Sequence, residues 1–375
     1  MSEQASTTLG EALLRRDVLL CVGPGGVGKT TCAAAIALAA ARAGRRVIVV
    51  TVDPSRRLGQ ALGLDTREHG RVAAVRHDDV QLSALLLDSA TVFDEIVHRC
   101  ATSPEAERQT LSNPFYRAAR ERLGGALEYA AMAQLQMLHQ DGNYDLIVLD
   151  TPPTANALYL LEAPARLRGL IDNPAAKLLA SGSGVGQRLM GLGAGVVLKT
   201  LRAITGSEFL SDLGNFLRDF AAVLLEFQRR GGEFESLLSS ARTGAVLVSS
   251  TAEFAQREAA AFLSTLKERG LTVDGVVLNR AEPELDEPAA LDELVAWLRG
   301  VEGVQQADAT ELAAAIRSMY EGAYRAAQQA STARERIVTR ERVLPVCVLR
   351  RDEPPPEGLD QLTALGQRIL SQSRD

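Results

Sequence analysis

One stretch decides the fold: DVLLCVGPGGVGKTTCAAAIALAAARAGRRVIVVTVD, running from Asp17 to Asp53. Asp17 to Val22 is a short apolar run ending in glycine, as a strand buried on both faces is. Lys29 to Ala43 reads as an alanine-rich helix, with Gly44 placed to close it. Arg45 to Asp53 is a second buried strand. Strand, glycine-rich turn, helix, strand is a βαβ unit.

The turn itself, Gly23 to Thr31, satisfies two phosphate-binding patterns. Gly23-x-Gly25-x-x-Gly28 fits a dinucleotide fingerprint, and Gly23-x4-Gly28-Lys29-Thr30 fits a P-loop. Asp53 suits both, because an acid ending the second strand can also bind a ribose hydroxyl. Lys29 and Thr30 break the tie: the lysine reaches terminal phosphates and the hydroxyl ligates Mg²⁺ when the loop wraps a polyphosphate. Asp150, ending the strand YDLIVLD, then supplies the carboxylate that holds the metal through its water shell. The plainer readings are that Asp53 only terminates a strand and that Asp150 only caps a turn.

The remaining chain extends this pattern. Further apolar runs, Tyr144 to Asp150, Gly244 to Ser250, Thr272 to Asn279 and Arg342 to Leu349, alternate with helical segments such as Ala252 to Glu268. The expectation is an α/β fold, a P-loop NTPase with a mostly parallel sheet flanked by helices. Two intervals break the rhythm and read as wholly helical, 89–140 and 174–240, a helical insertion subdomain within one ATPase domain spanning 1–375. In the second, Phe209, Leu213, Phe216, Phe220, Leu224 and Phe227 recur at three- and four-residue spacing, one apolar helix face. Before it, Leu178 to Leu198 carries six glycines and a single charge, Arg188. Its glycines, serines and Gln187 interrupt the apolar span a membrane helix needs, so it reads as an apolar flap.

With 375 residues, 46% hydrophobic and 23% charged, the composition is that of a globular protein. A net charge of −6 argues against nucleic acid as the main partner. The four cysteines (Cys21, Cys32, Cys100, Cys347) show no metal-ligand spacing. The polar N-terminal stretch lacks a basic region followed by a long apolar one, and the expected location is cytoplasmic.

GGVGKTT, TVDPSRRLGQALG and DTPPTANALYLL, in that order, resemble the ArsA/Get group of deviant-Walker-A ATPases, in the wider class that contains MinD and ParA. STAEFAQREAAAFLSTL, GVVLNR and LPVCVLRRDEP extend the resemblance over most of the chain. It implies Mg²⁺-dependent ATP hydrolysis coupled to the geometry of a dimer, either a homodimer or a heterodimer with a paralogous ATPase. The client it implies is hydrophobic or a membrane protein. A weakly hydrolysing binding protein, or the regulatory subunit of an anion or metalloid exporter, is the alternative. Residue by residue, Gly25, Gly26, Val27, Gly28, Lys29, Thr30 and Thr31 would cradle ATP, with Thr30 on the metal. Asp53 would orient or deprotonate the attacking water, and Asp150 would hold the metal's water shell. Asn279 would hydrogen-bond the adenine, and Pro345 to Leu349 would wall the base.

Three departures from the family pattern matter. Pro24 stands where the signature lysine, which reaches across the dimer, is expected. Arg56 and Arg57 are internal candidates for the missing charge. Paired zinc-binding cysteines and an arsenite-type cysteine triad are both absent from the pattern, and Cys32 reads as a small core residue. The Phe209 to Phe227 stripe serves either as a client surface or as ordinary packing against 89–140.

Overall fold

Each apolar run becomes a strand because its side chains feed two cores at once. In β1 (Val18–Val22), Val18, Leu20 and Val22 enter one buried cluster while Leu19 and Cys21 enter the other. That is the period-2 alternation of a strand covered on both faces, so the positions facing the two cores are apolar. The same holds for β2 (Val47–Thr51) and β5 (Leu146–Asp150), both wholly buried. The computed structural model describes residues 8–53, 57–64, 69–77, 80–101, 103–122, 126–172, 223, 225–305, 308–340, 344–351, 355–356 and 358–371.

With β3 (Val72–His77), β4 (Val80–Leu86), β6 (Thr243–Ser250), β7 (Val273–Ala281) and β8 (Val346–Arg350), these strands form one eight-stranded sheet. Its order is β3-β4-β2-β5-β1-β6-β7-β8, parallel throughout except for β3 against β4. From β1 the chain first builds outward on the β5 side and later returns to β6 on the other. The carboxyl end of β1 is therefore a topological switch point, the crevice where open α/β sheets bind ligands.

The helix Lys29–Arg42 lies on one face, nearly all of it buried. It is apolar all round because the sheet takes one side and the helix Leu359–Ser371 takes the other. The two helices touch backbone to backbone at Gly366, where an added Cβ would lie 2.0 Å from the Ala35 carbonyl oxygen. Alanines on one helix and a glycine on the other permit that approach.

Helices Ser89–Cys100, Pro104–Ser112, Pro114–Arg122 and Ala126–Asp141 fill the interval between β4 and β5. Val92, Phe93, Ile96 and Val97 share one buried cluster with β1, β2 and β5. A helix over 225–238 joins them: Phe227 meets Phe93 with ring centroids 4.6 Å apart. The described end of the phenylalanine stripe is thus core. Phe209, Leu213, Phe216, Phe220 and Leu224, and the glycine-rich stretch Leu178 to Leu198, lie outside the described residues.

Two features do not announce themselves as apolar runs. β3 is half exposed, so its sequence VAAVRH carries no buried-strand signature, and it closes the sheet as an antiparallel edge beside β4. The C-terminal helix Leu359–Ser371 buries one face, Leu362, Leu365 and Ile369, against the P-loop helix. Among the described residues no helix is long and apolar enough to cross a membrane.

Candidate functional site

The parallel register carries the predicted residues to one edge of the sheet. Cys21 in β1 pairs with Asp150 in β5, and Thr51 in β2 pairs with Asp150 from the other side. The chain beyond β1 must then turn sharply into the helix. Gly23 does so at φ 147° and Gly28 at φ 95°, conformations that exclude a Cβ. A Cβ on Gly23 would also fall 1.9 Å from the Val248 carbonyl oxygen. Gly28 caps the helix without a side chain, which leaves the first-turn amides free to face an anion.

Around this turn lies a cavity of about 420 Å³, lined by loop glycines Gly26 and Gly28, by Lys29, Thr30 and Thr31, and by Asp53, Arg57 and Arg280. Asp150 lies directly behind Thr30 and is 1% exposed. Thr30 donates its hydroxyl to Asp150 Oδ2 at 2.8 Å, and Thr51 donates to the same oxygen at 3.0 Å. The other oxygen, Oδ1, is buried without a protein hydrogen-bond partner. Burial pushes the Asp150 carboxyl up to about 6, against the opposing pull of the two threonines and Lys29. Burial likewise pushes the Lys29 ammonium down, with Asp150 and Asp53 resisting. Lys29 turns back on its own loop and donates to the Pro24 carbonyl at 2.7 Å.

A buried carboxylate oxygen with no partner, beside a threonine hydroxyl and under a dry lysine, is costly unless a cation and an anion complete the site. The donor set is all oxygen, which suits Mg²⁺. Thr30 and Asp150 fit that ion. Asp53 borders the cavity, its backbone N–H bonded to Thr51 Oγ1 at 3.2 Å. Arg57 also borders it, whereas Pro54, Ser55 and Arg56 lie outside the described residues.

Asn279 reaches the loop from β7. Its Nδ2 donates to the Val27 carbonyl at 2.9 Å, and its Oδ1 accepts the Arg280 N–H at 2.9 Å. In this state the amide braces the P-loop, and reading a base would require it to exchange those bonds. Pro345 is not brought to the cavity. It precedes β8, three residues before Val348, which pairs with Leu278; it sits roughly 10 Å down the strand at about 3.3 Å per residue. Its carbonyl accepts the Val276 N–H at 2.9 Å. Arg280, by contrast, lines the cavity although it is not among the residues expected from the sequence; the signal was its place directly after Asn279, near the end of β7.

The cysteines stay separate from this chemistry. Cys21, Cys32 and Cys347 are buried, and burial pushes the Cys32 and Cys347 thiols up to about 12. No His/Cys/Asp/Glu group suited to a metal ion occurs among the described residues.

A sequence model described as "Anion-transporting ATPase" matches residues 16–300. The chain belongs to that family. It is 32% identical over 294 residues to an uncharacterized protein of Streptomyces coelicolor, covering 75% of this chain and 65% of the relative. It is 27% identical over 182 residues to ATPase GET3 of Malassezia globosa, covering 47% and 51%. It is also 29% identical over 165 residues to the arsenical pump-driving ATPase of Escherichia coli, covering 41% and 27%. The chain thus spans 65% or less of the length of these relatives. Family membership and the α/β sheet agree with each other.

Proposed function

We propose that the chain is a Mg²⁺-dependent ATPase. The observation that carries this reading is the arrangement of Thr30, Thr51 and Lys29 around Asp150, whose Oδ1 is left without a partner beside a glycine-walled cavity. Lys29 and the amides of Gly25 to Thr31, Val27 among them, hold the phosphates. Asp53 orients or deprotonates the water that attacks the γ-phosphorus; the anhydride P–O bond breaks, and ADP and phosphate leave. Thr30 and Asp150 (the latter through water) would hold the metal. The chemistry Mg²⁺ would supply there is positive charge against the nucleotide's phosphates. Asn279 remains the candidate for the base once its loop bonds exchange.

The finer reading is that turnover changes the geometry of a dimer and of its helical insertion, 89–140 with 174–240, in a cytoplasmic protein handling a hydrophobic or membrane-protein client. The apolar composition of Leu178 to Leu198 and the Phe209 to Phe220 face support it. Pro24 favours a second reading, a nucleotide-gated binding protein or an exporter's regulatory subunit with slow turnover, because it leaves the loop's second position without charge. Phosphate release from ATP tests the main reading. Lys29→Ala and Asp150→Ala are each expected to abolish it, and undiminished release by both contradicts the proposal.

A further inference from the structure

Arg280 is the non-glycine residue with positive φ among the described residues, at 57°. A side chain in that region is strained, so the conformation calls for a reason. Its geometry supplies one. Successive residues of a regular strand point to opposite faces of the sheet. Here both Asn279 and Arg280 reach the P-loop, through its adjacent carbonyls: Asn279 Nδ2 to Val27, and Arg280 Nη1 to Gly26 at 3.0 Å. The left-handed turn, held by the Arg280 N–H on Asn279 Oδ1, brings the second side chain round to the loop.

A clasp on two loop carbonyls alone would need no charge, since a neutral donor serves a carbonyl as well. Arg280 nevertheless brings a guanidinium with five N–H donors, of which the Gly26 carbonyl engages one nitrogen. No carboxylate among the described residues is hydrogen-bonded or salt-bridged to it. It borders the same cavity as Lys29, Thr30 and Asp53. The loop's second position is the uncharged Pro24, whose carbonyl accepts from Lys29 at 2.7 Å.

Resting on the ATPase reading above, we infer that Arg280 is a phosphate-binding residue, a cation this chain sets against the nucleotide's polyphosphate from its own β7. The guanidinium contacts phosphate oxygens while one arm stays on Gly26. Its charge stabilises the negative charge that migrates toward the leaving ADP.

Arg280→Gln separates charge from clasp, because glutamine can still donate to the Gly26 carbonyl. ATP affinity and single-turnover hydrolysis are measured for wild type, Arg280→Ala, Arg280→Gln, Arg280→Lys and Lys29→Ala, with melting temperatures alongside. The expected result is an approximately 10- to 100-fold loss in kcat/KM for both Ala and Gln, with Lys retaining most of the activity and melting unchanged. Gln matching wild type while Ala falls reduces Arg280 to a loop clasp and overturns the inference, as does a series in which all three match wild type. If Lys29→Ala changes neither affinity nor turnover, the ATPase reading itself fails, and that failure is visible without reference to Arg280.

Discussion

At the residue scale, Asp150 bears most of the site's tension. It gains two hydroxyl hydrogen bonds yet keeps one buried oxygen without a partner, and burial favours its protonated form in the ligand-free protein. A carboxyl raised to about 6 in the fold, from an ordinary value near 4, makes the native state bind more protons than the unfolded one between those values. Stability of the ligand-free chain therefore falls as pH rises from about 4 to 6 and is flat above. Asp150→Asn removes the charge while keeping an acceptor for Thr30 and Thr51. Urea unfolding without nucleotide or Mg²⁺ is expected to show the Asp150→Asn variant more stable than wild type at pH 8, by on the order of 2–3 kcal/mol, and no gain at pH 4. An equal effect at both values would place the cost in packing rather than charge.

The same scale shows what the residues disclosed in advance. Lys29, Thr30 and Asp150 were legible because chain spacing fixed their partners: a turn after β1, a carboxylate ending another apolar strand. Pro345 is not brought to the cavity, because it precedes β8 whereas the cavity lies at the carboxyl ends of the parallel strands. Arg280 was not legible, because a positive φ depends on the Asn279 side chain folding back on the backbone.

At the scale of elements, the doubly buried strands β1, β2 and β5 were legible because both faces are apolar, and the alternating β3 was not because half of it meets water. The helix Leu359–Ser371 could be suspected from spacing, but its role depends on contact with the P-loop helix. That contact gives a prediction. In Gly366→Ala the new Cβ meets the Ala35 carbonyl oxygen at 2.0 Å, a backbone atom fixed in a helix. Better helix propensity is worth about 1 kcal/mol, and overpacking costs about 1–3 kcal/mol. Since the clash is with backbone, overpacking prevails: denaturant unfolding should show net destabilisation, with ATP affinity falling as the P-loop helix shifts. A neutral or stabilising result would mean the two helices are further apart than described.

At the scale of the whole molecule, the switch point at β1 gathers residues from β1, β2, β5 and β7 into one site, although they lie more than 200 residues apart along the chain. The dimer belongs to this scale too. In the cross-dimer arrangement the family resemblance implies, Pro24→Lys supplies a charge to the partner's nucleotide. Turnover per chain should rise, by about tenfold or more, and only at concentrations where light scattering shows a dimer. An unchanged rate in a demonstrated dimer would mean the position no longer serves catalysis.

The central claim is that ATP is hydrolysed at this P-loop with a metal held by Thr30 and Asp150. It is tested most directly by single-turnover release of γ-phosphate from ATP bound to excess purified chain, with Mg²⁺ or with EDTA. The bound γ-phosphate is expected to be released with Mg²⁺, release to stop in EDTA, and Lys29→Ala to release none. Release that is indifferent to both the metal and Lys29, or the failure of the wild-type chain to bind ATP, would contradict it.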